Sequence, residues 1–301
     1  MSIARKASKA MSLLPSAKIT PRPSSARGHA HHGWLNTYHT FSFASYFSPQ
    51  FTSFGALRVL NEDRVAAQSG FPTHPHRDAE IFSYILSGEL THRDSMLGRG
   101  QKDAKTLSEV SKDDFYVMKR GDVQFTTGGS GIAHAEENEH PEQEVHFLQI
   151  WATPWRKGLV PRYHTMSFDE EAKRKGFVTI LSPLKAGLKA TPEEEKEARP
   201  AVEGTIPIHA DFLMGASIIA PGNSAAWRIG GDGAVQEEKG RKVYVHVPMR
   251  GFGARIRLAG REDQVLGEGD GAFVEKVDAG DELMVESVGD GEAEVVILDS
   301  N

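Results

Sequence analysis

From Gly28 onward the apolar residues come in short runs broken by Gly, Pro, Asn and Asp, a spacing that predicts many strands and few helices. The runs at 56–60, 81–86, 145–151, 243–247 and 294–298 are dominated by β-branched and aromatic residues, which suit a pleated, half-buried surface. One helix signal stands out. Thr191-Pro-Glu-Glu194 reads as a capping box with proline at the first helical position, followed by charged residues and then Pro200. This short, solvated insert divides two strand-rich halves, and 167–175 reads as a smaller mixed-charge connector.

The halves echo each other. Lys119-Arg-Gly-Asp-Val-Gln-Phe125 matches Gly267-Glu-Gly-Asp-Gly-Ala-Phe273, and a segment ending in Gly88 or Gly251 precedes each. A Gly-Asp turn leading into an apolar strand would recur once per barrel, so the expected fold is all-β, two stacked antiparallel jelly-roll β-barrels with few short helices. The expected divisions are an N-terminal extension over 1–27, partly a first strand, a barrel over 28–180, a linker with the helix over 181–205, and a second barrel over 206–301.

Composition narrows the chemistry. The 301 residues include no cysteine, which excludes disulfides, thiolate zinc sites, iron–sulfur clusters and a cysteine nucleophile. Any metal must be held by carboxylates and by some of the 13 histidines. The net charge of −6 argues against direct nucleic-acid binding, and no stretch approaches the roughly 18 apolar residues of a membrane span. The first 60 residues nonetheless carry seven Lys or Arg and no Asp or Glu. Within residues 1–14, Ile3, Ala7, Met11 and Leu14 recur at helical spacing between Arg5, Lys6 and Lys9. That segment is either a disordered tail, with the protein cytoplasmic or nuclear, or a mitochondrial transit segment.

Two short motifs carry the candidate chemistry. In Phe71-Pro-Thr-His74-Pro-His76 the two imidazoles leave the same face of an extended chain, and His134 and Glu136 share a face in the same way. Any one of these histidines could be an ordinary turn residue; the matched pairs point to a shared cation. Three imidazoles and one carboxylate leave two positions of an octahedron open, which suits Fe(II), and also Mn, Ni or Cu, better than structural zinc. Glu80 rivals Glu136 as the carboxylate, because positions 74, 76, 78 and 80 share parity on an unbroken strand. Glu137 points the other way. Gly128-Gly-Ser-Gly131 is no phosphate loop, since no Lys-Ser/Thr or helix follows it.

Together with Gly33-Trp-Leu-Asn-Thr-Tyr-His-Thr-Phe-Ser-Phe43, Gly88-x-x-x-His92-x-Asp94, Gly131-Ile-x-His-x-Glu136 and His146-x-Leu-Gln-Ile-Trp151, the His74-Pro-His-Arg77 motif resembles the pirins, a bicupin family, from about Gly28 to the C-terminus. The resemblance implies one iron in the first barrel, held by His74, His76, His134 and Glu136, with Glu80 near the site or structural. It places Phe71, His92 and Gln149 as neighbours of the metal or of a substrate. Zinc is a further ion it allows. The second half has no His-x-His, His209 and His246 standing alone, so its metal site reads as vacated. Residues 97–116 read as an insertion relative to compact pirins. Tyr38, Phe41, Phe43, Tyr46, Phe47, Phe51 and Phe54 could line an aromatic pocket, although such runs more often pack cores or barrel interfaces.

Pirin-like activity implies either of two functions. One is a quercetin 2,3-dioxygenase, which opens a flavonol with O₂ and releases carbon monoxide, with Glu136 as the base. The other is an iron-dependent partner of transcription factors without turnover. A cupin with another oxygen-dependent activity is a third reading.

Overall fold

The computed structural model describes residues 14–96, 115–231 and 233–301. Nearly all of the expected transit or tail segment and of the 97–116 insertion lies outside the described residues. Strands form two large and two small sheets. The first large sheet runs β12 (Arg162–Ser167), β9 (Asp122–Thr127), β6 (Glu80–Ser87), β11 (Val145–Ala152), β4 (Leu57–Val65), β3 (Leu35–His39) and β2 (Gly28–His31). Leu35, Val65, Ile85 and Phe147 pack it against a small sheet of β5 (Ser69–His76), β10 (Ile132–Asn138), β7 (Leu90–Asp94) and β8 (Tyr116–Met118), which contributes Leu90 and Met118.

The second large sheet runs β1 (Lys18–Arg22), β20 (Gly271–Val277), β17 (Arg241–His246), β22 (Ala293–Ser300), β15 (Phe212–Ile219), β13 (Val178–Pro183) and β14 (Ile206–Ile208). Its small partner is β16 (Ser224–Arg228), β21 (Glu282–Ser287), β18 (Arg255–Leu258) and β19 (Val265–Gly267). The two barrels share one strand order, except that β1 takes the place of β12 and β14 runs parallel to β13 where β2 runs antiparallel to β3. The expected N-terminal extension is therefore in part structural. Leu14 and Ala17 are buried in the second barrel's core, and Lys18–Arg22 pairs antiparallel with β20. The boundary also moves: β13 begins the second barrel's sheet at Val178, inside the span assigned to the first barrel.

The sequence repeat is visible as geometry. Asp122 Oδ2 accepts from Lys119 N at 2.8 Å and Asp270 Oδ2 from Gly267 N at 2.9 Å, each turn passing through a glycine in the left-handed region, Gly121 (φ 84°) and Gly269 (φ 80°). The helix α2 (Pro192–Glu197) begins at the predicted capping box. The 167–175 connector holds a second helix, α1 (Glu170–Lys175), capped by the Asp169 side chain.

Alternation along the strands sorts residues between the interface and the barrel interior. Leu60, Phe82, Phe125 and Leu148 meet Phe212, Val296 and Leu298 across the joint between barrels. Phe41, Phe51 and Phe54 end in that joint too, against Phe273, so this part of the aromatic run is packing. Several charged groups set into the joint are paired. Glu62 takes Arg27 Nη1 at 3.1 Å, His146 Nε2 at 2.9 Å and His246 Nε2 at 3.1 Å. Burial alone would raise the Glu62 pKa, but these partners hold it well below the carboxylate range. Tyr84 donates to Glu294 at 2.6 Å and accepts from Lys173 of α1 at 3.1 Å.

His209 and His246, alone in sequence, are thus partnered across the joint. His209 lies 3.5 Å from Glu80 of β6 and 2.9 Å from Glu195 of α2. Glu80 and Glu195 outweigh burial and raise its pKa, although His164 and Arg162 of β12 also stand near. A raised folded pKa means the protonated histidine stabilises the fold fully below its unfolded value, and this contribution fades as pH rises through the folded value. Urea unfolding across about pH 6 to 9 should therefore show wild type losing stability relative to His209→Gln as pH rises. A difference between the two that stays level with pH would refute this.

Candidate metal centre

The small sheet of the first barrel brings the ligands together. β5 is its edge strand, the position where Pro72 and Pro75 can sit without breaking a ladder bond. His74 stands opposite His134 of β10, and His76 opposite Ile132. A register shift follows, so Glu136 stands opposite Phe71, with Pro72 and Thr73 bulged against Ala135. At the other end of β10, Gly129 (φ 42°) approaches so closely that a Cβ there would lie 2.1 Å from the Leu159 carbonyl oxygen. That glycine allows the chain to turn tightly into β10.

His74, His76 and His134 form a triangle with ring centroids 4.6 to 4.7 Å apart. Their ligand atoms all lie within 4.8 Å of one another. The Nδ1 of His74 lies 2.7 Å from the Pro72 carbonyl, an acceptor only, so it carries the proton and Nε2 keeps a lone pair. His134 Nε2 faces that lone pair at 3.1 Å, and His76 Nε2 is buried without a hydrogen-bond partner. Burial, with the neighbouring His74, lowers the His76 pKa to about 4, and burial followed by His92, His76 and His74 drives His134 lower still. Three imidazoles converging on one point, His76 and His134 held neutral by burial and His76 Nε2 without a partner, fit a divalent cation.

The fourth expected ligand stands apart from this triangle. Glu136 is fully buried and its carboxylate accepts from Ser83 Oγ at 2.8 Å and from Gln149 Nε2 at 2.7 Å. Burial, with help from Asp94, pushes its pKa up to about 7 against those two hydrogen bonds. The rival carboxylate is elsewhere. Asp78 (φ 52°) breaks the extended chain between β5 and β6, so the parity that would align Glu80 with His74 and His76 is lost. Glu80 accepts from Thr127 Oγ1 at 3.1 Å and faces His209 in the joint between barrels.

Of the other expected neighbours, Gln149 holds Glu136, and His92 Nε2 lies 3.0 Å from His134 Nδ1. Phe71 instead packs edge-on against Trp34 in the barrel core. Sequence reasoning missed Asp63, Ser83, Trp151 and Tyr163. Asp63 is buried on β4, its Oδ1 without a partner, and burial and the nearby Glu136 raise its pKa to about 7. Asn-Glu-Asp in the middle of an apolar strand was the available signal. Trp151 lies edge-on to His76 at 4.9 Å and to Phe43 at 5.5 Å, and so forms an aromatic wall beside the triangle.

Among its described residues the second barrel has no equivalent. Its matching strands carry Ala225 and Trp227 opposite Val285 and Leu283, all in an apolar core. Trp227 also fills the space over Gly215, where a Cβ would meet its ring at 2.2 Å. Among the described residues, both candidate metal-binding groups lie in the first barrel.

Comparison with known proteins agrees with this architecture. The Pirin family model matches residues 21–152. A Pseudomonas aeruginosa protein, PA1210, is 37% identical over 233 residues, spanning 77% of this chain and 83% of that one. The quercetin 2,3-dioxygenase of Escherichia coli K12 is 41% identical over 162 residues, 54% of this chain and 62% of the enzyme. The solved structure of the bacterial pirin YhhW from Escherichia coli in complex with nickel(II) superimposes with a TM-score of 0.69 at 28% identity, covering 94% of this chain and 99% of that one. Family model, relatives and a shared two-barrel frame concur: the chain belongs to the pirin family.

Proposed function

We propose that the protein is a metal-dependent dioxygenase that opens flavonols such as quercetin with O₂ and releases carbon monoxide. The observation that carries this reading is the triangle of imidazoles, with the buried carboxylate of Glu136 two residues beyond His134 on the same strand. Relatives named for quercetin dioxygenation support it. His74, His76 and His134 would hold the ion, Fe(II) by the character of the ligand set, with Glu136 as a fourth ligand. When bound, such an ion supplies Lewis acidity that lowers the pKa of a flavonol 3-hydroxyl.

The protein's own groups do the rest. Glu136 accepts the proton of the 3-hydroxyl as general base. Ser83 donates to one of its oxygens and Gln149 to the other, which fixes the orientation of the carboxylate. Trp151, edge-on to both His76 and Phe43, offers an aromatic face beside the triangle against which a flavonol ring can pack while water is excluded. The test is anaerobic loading with Fe(II), addition of quercetin and then air, and measurement of flavonol loss and carbon monoxide. Metal-loaded protein that consumes no flavonol and forms no carbon monoxide refutes the reading.

A further inference from the structure

We infer that His92 and Tyr163 form a positioning chain behind His134, fixing its tautomer so that its Nε2 lone pair is held toward the metal. The inference rests on the proposed role of the imidazole triangle. His134 has both ring nitrogens engaged: Nε2 faces His74 at 3.1 Å and Nδ1 faces His92 Nε2 at 3.0 Å. If Nε2 ligates, Nδ1 must carry the proton and donate it, so His92 must accept with Nε2. A neutral His92 then carries its own proton on Nδ1, which lies 3.3 Å from Tyr163 Oη. Each link leaves one arrangement for the next.

The surroundings hold this chain in place. His92 is fully buried on β7, its ring edge-on to His134 at 4.9 Å and tilted against Tyr163 at 5.4 Å. Tyr163, on β12, belongs to the other sheet and stacks on Tyr116 at 5.8 Å. The chain therefore crosses the barrel from the ligand-bearing sheet to the large one. A rival reading gives His92, Asp94 and His134 an ion of their own, since their ligand atoms also cluster. Asp94, however, already accepts from Met96 N at 2.8 Å and Thr126 Oγ1 at 3.2 Å. His134 would in addition have to give up its Nδ1 proton.

Removing an outer hydrogen-bond partner of a ligating histidine weakens metal binding by roughly 10- to 100-fold. Nickel(II) affinity, measured by competition with a chelator, should fall within that range for His92→Leu. Tyr163→Phe, at the barrel edge and keeping the ring, should fall about 10-fold. His92→Gln, whose amide oxygen can accept from His134 Nδ1, should recover much of the affinity. Nitrogen-15 NMR should show His134 protonated at Nδ1 in the nickel-free wild type and in His92→Gln, and a mixture of tautomers in His92→Leu. Wild-type affinity in both Tyr163→Phe and His92→Leu overturns the inference while leaving the metal site intact. Two nickel equivalents per chain would hand His92 and Asp94 to a second ion and overturn it as well. Wild type that takes up no nickel removes the metal reading itself and the inference with it.

Discussion

Replacing His134 with alanine should abolish divalent-metal binding by the protein. His134 is the fully buried member of the triangle, and its Nε2 points at His74 Nε2, so its loss removes the ligand that the other two face. One metal equivalent per chain is expected for wild type and none for His134→Ala or for His74→Ala combined with His134→Ala. The loss should also be visible as stability. At a free metal concentration 100 times Kd, binding to the native state adds about 2.7 kcal/mol. For a unit of this size each kcal/mol is worth about 2 to 4 °C, so metal should raise the melting temperature of wild type by about 5 to 10 °C. The same metal should leave His134→Ala unmoved, whereas His209→Gln, altered only in the joint between barrels, should respond as wild type does. A full equivalent retained by the double variant would show that the ion sits elsewhere.

Glu136→Gln and Glu80→Gln should separate sharply. Glutamine at 136 keeps the shape of the side chain but cannot accept a proton as the carboxylate does, so flavonol turnover should fall by about 10²- to 10⁴-fold, the usual worth of general acid–base catalysis. Metal affinity should weaken as well, through loss of a negative charge beside the cation. Glu80→Gln should retain one metal equivalent and most of the turnover. Its cost should appear in unfolding experiments instead, because His209 loses one of the two carboxylates that flank it. Equal loss of metal from both variants would mean that the wrong carboxylate has been assigned to the site.

How far the site could be read from the sequence depended on whether its residues lay on one continuous strand. His74 and His76, two apart on β5, and His134 on β10 were legible because alternation along an extended chain puts them on one face. Alternation misled at Glu80, where a single left-handed residue, Asp78, resets which face comes next. It was silent on Ser83, Asp63 and Tyr163, which reach the barrel interior from strands whose spatial order no local pattern encodes. The helix α2 was legible from its cap, whereas α1, which lacks a capping box, was not. The division into two barrels was readable from the Gly-Asp repeat. The origin of β1 was not, because an edge strand looks the same whichever sheet it completes.

That edge strand has a consequence for how the chain folds. Lys18 pairs with Glu275, 257 residues later, so a segment made early in synthesis waits for one of the last strands before its sheet can close. The entropy of closing so long a loop must be met before the pairing returns any stability, which predicts slow maturation of the second barrel relative to the first. A chain divided between the barrels would leave the β20 backbone unpaired along one side, a ready template for intermolecular strand addition. The C-terminal half produced alone should therefore aggregate, and supplying residues 14–22 as a separate peptide should keep it in solution.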